Sequence, residues 1–341
     1  MSTGSPTGTV STAHASGLGG VVRELGELHR AMLRAGGDEE AAVRLSVMTL
    51  VVVCTDRDEM TAAGAVVARI SAQHPARALM VLAEPEGEPG ITADLRLECG
   101  IGGRDAGVCA ELIDLRVGGD AARHLGSVVT PLLLPDVPVH LWLPGAPRLE
   151  QPLSDETLAI CERVVLDSGL FPDVDATLAR LAEATARRSS APVVDLTWLR
   201  LTPWRELVAR AFDATARRPL LVGVDAVEVH GAAAAARLMG GWLRSRLGLD
   251  AGRVTITVVP DAAGPVERVL IHSTAAGGSS MSVERDDDAL RTHVMVGGET
   301  VATRSVPLDQ AELTDLVGAA LQEGGADAVY AAALQAATAP A

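Results

Sequence analysis

The sequence LSVMTLVVVC, residues 45–54, is an apolar, β-branched run without a charged residue. A run of this length is typical of a strand buried on both faces of a sheet. Asp56 follows it and can cap a helix that we expect to continue to about Gln73, with Pro75 as its stop. The segment RALMVL at 77–82 predicts a second strand. The stretch is therefore a β-α-β unit, which favours an α/β fold.

Alternating segments extend this unit along the chain. ITADLRLEC at 91–99 and CAELIDLRV at 109–117 predict a hairpin, because a glycine-rich loop joins them. A helix is expected from about Asp120 to Leu134, followed by a strand in VPVHLWLP at 137–144. The order β-α-β-β-β-α-β indicates an α/β layer with a mixed sheet.

A polar, proline-containing stretch at 146–158 predicts a domain boundary. We place a disordered tail at 1–19, an N-terminal α/β domain at 20–158 and a C-terminal α/β domain at 159–341. The second domain alternates strands and helices, and four short strands between 266 and 306 predict an antiparallel meander. C-terminal helices complete this second α/β layer.

Composition excludes several classes of function. The 341 residues carry 29 basic and 44 acidic side chains, and every basic one is Arg. Without Lys, neither a Walker-type phosphate loop nor Schiff-base chemistry is expected. The net charge of −15 argues against a nucleic-acid partner. No signal peptide is recognised and the longest apolar run is too short for a membrane span, so a cytoplasmic protein is expected.

No cofactor or metal motif stands out, and no catalytic residue is predicted. GIGGRDAG at 100–107 departs from the dinucleotide-binding spacing and lies between two strand-like segments, so we interpret it as a hairpin loop. Cys99 and Cys109 stand at the two feet of that hairpin. A reversible disulfide between them is one hypothesis, and two buried thiols in a reducing compartment are the other.

The segment DLTWLRLTPWREL, residues 195–207, holds two of the four Trp residues of the chain. A strand is expected over 193–201, with Thr202 as the N-cap of the next helix and Pro203 in its first turn. Trp198 and Trp204 fall on apolar faces, so we interpret both as core residues before any ligand-binding role.

Two arginines flank the predicted helix start in this segment. Arg200 and Arg205 lie beside free N–H groups and the positive end of the helix dipole, which favours an acidic partner group or a phosphate. The alternative is a solvent-facing pair, or an internal ion pair with Asp195 or Glu206. His74 and Arg77, in HPAR at 74–77, either lie at a sheet edge as part of a surface or only mark a helix stop.

These residues resemble a known family. DLTWLRLTPWREL is similar to the signature of the glucose-6-phosphate dehydrogenase assembly protein family (OpcA) in its actinobacterial form. Four further segments resemble that family in the same order: SAQHPARALMV at 71–81, VCAELIDLRVGG at 108–119, SVVTPLLLPDVPVHLWLPG at 127–145 and DAVYAAAL at 327–334. The resemblance runs from about residue 45 to 335.

The resemblance implies a non-catalytic accessory protein that binds glucose-6-phosphate dehydrogenase and promotes its oligomeric assembly and activity. It places the partner surface, or its immediate support, at Trp198, Arg200, Thr202, Trp204, Arg205, His74 and Arg77. Some photosynthetic relatives are linked to redox control, for which Cys99 and Cys109 are the candidates here. The alternative hypothesis is a sensor of the same pathway, in which the Arg-flanked helix start binds a sugar phosphate as a small-molecule effector.

Overall fold

The computed structural model describes residues 9–35, 46–99, 109–148, 155–187, 191–213, 215, 217–308, 311–322 and 324–339. The chain divides into two compact units. The first consists of Met1–Leu166, Ser189–Pro192 and Val317–Gln322, and the second of Asp167–Arg188, Val193–Leu316 and Glu323–Ala341. The division that the sequence predicts after residue 158 stays a prediction.

The first unit contains a mixed sheet. Its strands are β1 (Thr9–Ser16), β2 (Met48–Cys54), β3 (Ala76–Glu84), β4 (Gly90–Cys99), β5 (Cys109–Gly118), β6 (Val139–Trp142) and β7 (Arg163–Leu166). Their order across the sheet is β1-β4-β5-β3-β2-β6-β7. In this order, the neighbouring strands β5, β3, β2, β6 and β7 are parallel. The pairs β1–β4 and β4–β5 are antiparallel. The helices of this unit are α1 (Leu18–Ala35), α2 (Arg57–Gln73), α3 (Leu125–Val129) and α4 (Asp155–Ile160).

The predicted β-α-β unit is confirmed as β2, α2 and β3. All seven residues of β2 are buried, as a central parallel strand requires. The Asp56 side chain accepts the N–H of Glu59 at 2.8 Å and so caps α2. The helix ends at Gln73, and the N–H of His74 bonds the Ile70 carbonyl at 2.8 Å.

The interpretation of residues 1–19 as a disordered tail is wrong for Thr9–Ser16. These residues form β1, which pairs with β4 from Thr9 opposite Cys99 to Ser16 opposite Thr92. The strand lies at the sheet edge, where Ala15 is buried and Val10 is 56% exposed. An edge strand held mainly by its backbone ladder carries little apolar signal, so composition alone misses it.

Two other predictions in this unit have different outcomes. Cys99 and Cys109 are directly opposed in the β4–β5 register, as the hairpin predicts, while the loop at 100–108 lies outside the described residues. Their redox role stays a prediction. The single helix expected from Asp120 to Leu134 is wrong, because the chain there forms α3 between two 3₁₀ turns. Pro131 lacks an N–H and prevents a longer α-helix.

The second unit contains β8 (Val193–Asp195) and a six-stranded sheet. The sheet strands are β9 (Val224–Gly231), β10 (Val254–Val258), β11 (Val266–Ser273), β12 (Ser279–Asp286), β13 (Ala289–Val296) and β14 (Glu299–Pro307), in the order β10-β9-β11-β12-β13-β14. The strands β9 and β10 are parallel and the rest are antiparallel. The helices are α5 (Val174–Ala186), α6 (Leu196–Arg200), α7 (Thr202–Ala211), α8 (Pro219–Val222), α9 (Ala233–Leu247) and α11 (Ala328–Thr338), and α10 (Leu313–Gln322) lies between β14 and α11. The predicted meander is confirmed as β11 to β14, and both sheets are mixed.

Helix α9 packs closely on one face of this sheet. A Cβ at Gly240 would lie 2.5 Å from the Cδ1 of Ile256 in β10, and one at the neighbouring Gly241 would overlap the Ala333 carbonyl of α11. The two glycines therefore allow α9 to approach the sheet and α11 at once. Among the described helices, none is long and apolar enough to cross a membrane.

Candidate functional site

The segment 195–207 turns sharply from a strand into two short helices. The strand β8 ends at Asp195, and α6 begins at Leu196. The strand predicted over 193–201 is therefore wrong beyond Asp195. The cause is local, because the Asp195 side chain accepts the N–H of Thr197 at 3.0 Å and caps α6. We call residues 195–207 the corner.

Asp195 is completely buried at the base of the corner. Its Oδ1 also accepts the Ser168 N–H at 3.0 Å, and the Tyr330 hydroxyl of α11 donates to its Oδ2 at 3.1 Å. Burial raises the pKa of Asp195 to about 6, although the hydrogen bonds from Ser168 and Tyr330 oppose the rise. The carboxyl group thus ties the corner both to residue 168 and to the C-terminal helix.

Arg200 has an internal partner. Its Nη1 donates to the Oδ2 of Asp167 at 2.5 Å, and the Arg200 side chain is 33% exposed while that of Asp167 is 8% exposed. The other oxygen of Asp167 accepts the Thr197 hydroxyl at 2.6 Å. The sequence analysis considered an internal ion pair for this arginine, and the structure confirms that one exists. Its acidic partner is Asp167, however, and not Asp195 or Glu206.

Trp198 is the residue of the corner that packs against α11, and it is buried with 2% exposure. Its indole Nε1 donates to Asp327 at 2.8 Å, and its ring centroid lies 5.5 Å from that of Tyr330. The guanidinium carbon of Arg205 lies 3.6 Å from the ring centroid, a cation–π contact. Trp198 is thus a core residue, as its apolar spacing predicts.

The start of α7 differs from the prediction. Leu201 occupies the N-cap position without a side-chain cap, and the Thr202 hydroxyl instead accepts a hydrogen bond from Arg205 at 2.9 Å. Pro203 has no N–H, and the Arg205 N–H bonds the Leu201 carbonyl at 2.9 Å. Helix α6 leads almost directly into α7, and Arg200 and Arg205 both contact neighbouring groups of the chain. This geometry does not favour the hypothesis that the start of α7 binds an anion.

Trp204 completes the corner from the side of α7. It is fully buried, together with Leu207 and Val208 on the same helix face. Neither tryptophan is therefore available to a partner protein. Of the predicted site residues in the corner, only Arg200, Thr202 and Arg205 reach the surface, and each of them does so in part.

Arg77 is at the centre of a buried ion cluster in the first unit. Its Nε donates to Glu111 at 2.6 Å and its Nη1 to the Leu132 carbonyl at 2.8 Å. His29 of α1 contacts the second Glu111 oxygen at 3.1 Å. Burial acts to raise the pKa of Glu111, but the His29 hydrogen bond and the Arg77 charge outweigh it and lower that pKa. Arg77 is 5% exposed, so it does not itself form a surface, and its role as support for a partner surface stays a prediction.

His74 is close to Arg77 in the sequence, but its side chain has different surroundings. It is partly exposed, and its Nε2 is 3.1 Å from the Gln322 side-chain nitrogen. His74 and Arg77 belong to the first unit, whereas the corner belongs to the second. The predicted set of seven residues is thus divided between the two units.

Several partners of these residues escaped sequence interpretation. Glu111 lies in the segment CAELIDLRV and Tyr330 in DAVYAAAL, but nothing in their spacing pairs them with Arg77 or Asp195. Asp167 directly follows the apolar strand β7. A polar residue at the end of such a strand is the one local signal in the sequence that pointed to a functional position. Among the described residues, no group of three His, Cys, Asp or Glu side chains is arranged to hold a metal ion.

Two protein-family models match this chain, and their matches include these segments. A family model described as the N-terminal domain of a glucose-6-phosphate dehydrogenase subunit matches residues 67–183, and a model described as the C-terminal domain of such a subunit matches residues 191–334. The second match includes the corner and Tyr330. The chain belongs to the OpcA family.

Curated OpcA relatives support the assignment. The chain is 32% identical over 183 residues to the "Putative OxPP cycle protein OpcA" of Synechocystis sp., covering 52% of this chain and 38% of the relative. It is 33% identical over 191 residues to the protein of the same name from Synechococcus elongatus, covering 54% of this chain and 42% of the relative. The chain thus matches about two fifths of the length of these relatives.

A solved oxidoreductase from Sinorhizobium meliloti is similar to 86% of this chain and 88% of its own. The TM-score is 0.33 and the sequence identity 13%, so this likeness carries no weight for fold or function. The OpcA assignment comes from the family models and the curated relatives.

The buried carboxyl of Asp195 predicts a pH dependence of stability in this OpcA protein. Its folded-state pKa of about 6 exceeds the ordinary value of 3.8, so the folded state holds this proton more tightly. The contribution is complete below about pH 4 and is lost as the pH rises through about 6. Relative to Asp195→Asn, the natural protein should therefore lose up to about 3 kcal/mol of unfolding free energy between about pH 4 and pH 7.

Urea unfolding at several pH values measures this difference. Parallel curves for the natural protein and Asp195→Asn would show that Asp195 does not titrate in this window.

Proposed function

We propose that this protein binds glucose-6-phosphate dehydrogenase as a non-catalytic accessory subunit and promotes its oligomeric assembly and activity. The observation that carries the proposal is the pair of family matches, whose descriptions name N-terminal and C-terminal domains of a glucose-6-phosphate dehydrogenase subunit. They follow one another along the chain at 67–183 and 191–334. The dehydrogenase is a cytoplasmic partner in this proposal, with neither nucleic acid nor membrane involved.

The internal pairing of the motif residues is consistent with a preformed docking surface. Asp195, Trp198 and Tyr330 fix the corner through contacts that the unbound chain already makes. A surface held in this way loses little conformational entropy when a partner binds. We propose that the partly exposed Arg200 contacts the dehydrogenase, while the buried tryptophans support it from behind.

Activation then follows from differential affinity. An accessory protein that binds the active assembly more tightly than the inactive one shifts the population toward the active assembly by the same free-energy difference. A tenfold preference corresponds to about 1.4 kcal/mol. No group on this protein needs to touch the substrate for the rate to rise.

Binding is tested with the purified dehydrogenase of the same organism. We expect the two proteins to co-migrate in size-exclusion chromatography and the NADPH production per dehydrogenase to increase. Separate migration with an unchanged rate would refute the proposal. A thermal shift of this protein with glucose 6-phosphate alone, without the dehydrogenase, would instead favour the sugar-phosphate sensor.

Arg200→Gln should weaken binding to the dehydrogenase about tenfold, because a partly desolvated arginine at an interface commonly contributes about 1–2 kcal/mol. Asp167 keeps its hydrogen bonds from Thr197 and Gly169 in this variant, so the fold should persist. Arg210→Gln is the control, since Arg210 forms an exposed pair with Glu206 on α7. Equal binding by both variants, measured by titration calorimetry, would remove Arg200 from the interface.

A further inference from the structure

The edge strand β14 is exposed along almost its whole length. It pairs with β13 on one side and is the last strand of the six-stranded sheet. Seven of its nine residues are exposed, and only Ala302 and Val306 are partly buried. Val301 is 55% exposed, and Met295 on the neighbouring strand is 36% exposed. In the described part of the chain, the outer backbone edge of β14 therefore has no strand partner.

Proteins usually protect such edges. Short edge strands, prolines, charged side chains, β-bulges or a covering helix or loop reduce pairing with another chain. The strand β14 is nine residues long, and its only proline, Pro307, stands at the very end. It contains two ionisable residues, Glu299 and Arg304, of opposite charge. An edge of this length, which no described element of the chain covers, is a surface on which a further strand can be added.

A β-bulge sets the pattern of side chains along β14. Val294 is opposite Ala302 but Met295 is opposite Thr300, so Val301 is an extra residue without an opposite on β13. Thr292 is opposite Arg304 and Val296 is opposite Glu299. Residues 292, 294 and 296 alternate along β13 and share one face, so their partners Arg304, Ala302 and Glu299 share that face as well.

This arrangement is complementary to itself. Suppose that a second β14 runs antiparallel beside the first, with the twofold axis between Val301 and Ala302. Because of the bulge, side chains that face each other across this axis then lie on the same side of the combined sheet. Glu299 of each copy then faces Arg304 of the other, on the same side of the sheet. Thr300 faces Thr303, and the exposed Val301 is covered at the axis. Opposite charges and threonine pairs are both favourable cross-strand neighbours.

We propose that two copies of this protein associate through antiparallel β14–β14 pairing and form one continuous sheet across a twofold axis. The interface is isologous, as most homodimer interfaces are. A second copy is favoured over an unrelated strand because the two charges and the two threonines find their complements on β14 itself. The association does not depend on the dehydrogenase, so its test is separate from that of the proposed function.

Sedimentation equilibrium of the full chain tests the proposal. At about 50 µM we expect a mass of twice the 35.2 kDa of one chain. Glu299→Arg and Arg304→Glu, tested singly, each place like charges in contact twice per dimer and should raise the dissociation constant about tenfold. The double variant Glu299→Arg, Arg304→Glu restores opposite charges, so it should recover the natural dissociation constant within about threefold.

Two further variants make the outcome decisive. Glu206→Arg, on an exposed face of α7, is the matched charge reversal and should leave the dimer unchanged. Val301→Arg places two positive charges at the axis and should dissociate the dimer independently of the Glu299–Arg304 pairs. Circular dichroism confirms that each variant is folded. A natural protein of 35.2 kDa at this concentration, single variants that dimerise normally, or a double variant without recovery would overturn the proposal.

Discussion

Arg77→Met should lower the free energy of unfolding by about 3–5 kcal/mol. Arg77 is 5% exposed and Glu111 is 4% exposed, so the substitution leaves a carboxylate buried without its main counter-charge. Among the described residues, the 3.1 Å contact with His29 then remains as the polar contact of the Glu111 side chain. The Leu132 carbonyl also loses its Arg77 donor. Urea unfolding at neutral pH measures the loss.

A pair on the same sheet provides the control. Arg116 of β5 pairs with Glu84 of β3, but the Arg116 side chain is 53% exposed, so Arg116→Met should cost far less stability than Arg77→Met. The double variant Arg77→Met, Glu111→Leu should recover much of the loss, because no buried charge is left unpaired. Similar losses for Arg77→Met and Arg116→Met would contradict the assignment of Arg77 to a buried cluster.

The cluster also predicts the acid side of the stability profile. The folded-state pKa of Glu111 is lowered, so its contribution to stability is present above the unfolded-state value and is lost as the pH falls through the folded-state value. In Arg77→Met this acid-dependent loss should shrink, since most of the stabilising charge has gone.

Trp198→Ala should destabilise the second unit by about 3–5 kcal/mol, the usual cost of truncating a buried aromatic residue. The indole fills the space between α6 and α11, contacts Tyr330 and supports the Arg205 guanidinium. The Asp327 Oδ2 would also lose its donor, although Asp327 keeps its capping bonds to Val329 and Tyr330. Urea unfolding of the whole protein measures the loss.

Trp198→Phe separates packing from hydrogen bonding. It retains a ring beside Tyr330 but removes the bond to Asp327, so we expect a smaller loss of about 1–2 kcal/mol. The two substitutions also distinguish a residue that supports the corner from one that contacts the dehydrogenase. If Trp198→Ala left stability unchanged and abolished binding to the dehydrogenase, Trp198 would be a contact residue and the structural role of the corner would be wrong.

The sequence predicts those parts of the fold whose signal is local. The apolar run of β2, the Asp56 cap and the four strands of the meander each carry their own pattern, and the structure confirms them. The strand β1 was missed because its stability comes from pairing with β4, a partner about eighty residues away. The break at Asp195 was missed because a capping side chain overrides the β-propensity of the residues that follow.

The candidate site was harder to predict for a related reason. Spacing identified Trp198 and Trp204 as core residues, but it could not select among 44 acidic residues the carboxylates that would pair with the arginines. Asp167 meets Arg200 across 33 positions and Glu111 meets Arg77 across 34. Such pairs depend on tertiary contacts that neither helical nor strand periodicity encodes. The resemblance to OpcA proteins indicated the right segments but not these partners.

Active-enzyme sedimentation of glucose-6-phosphate dehydrogenase tests the central claim most directly, because it measures the size of the catalytically active species through NADPH absorbance. With this protein in excess, we expect the band of activity to sediment faster than that of the dehydrogenase alone and to produce NADPH at a higher rate. An activity band with the same sedimentation coefficient and the same rate, with and without this protein, would contradict the claim that it assembles with the enzyme and activates it.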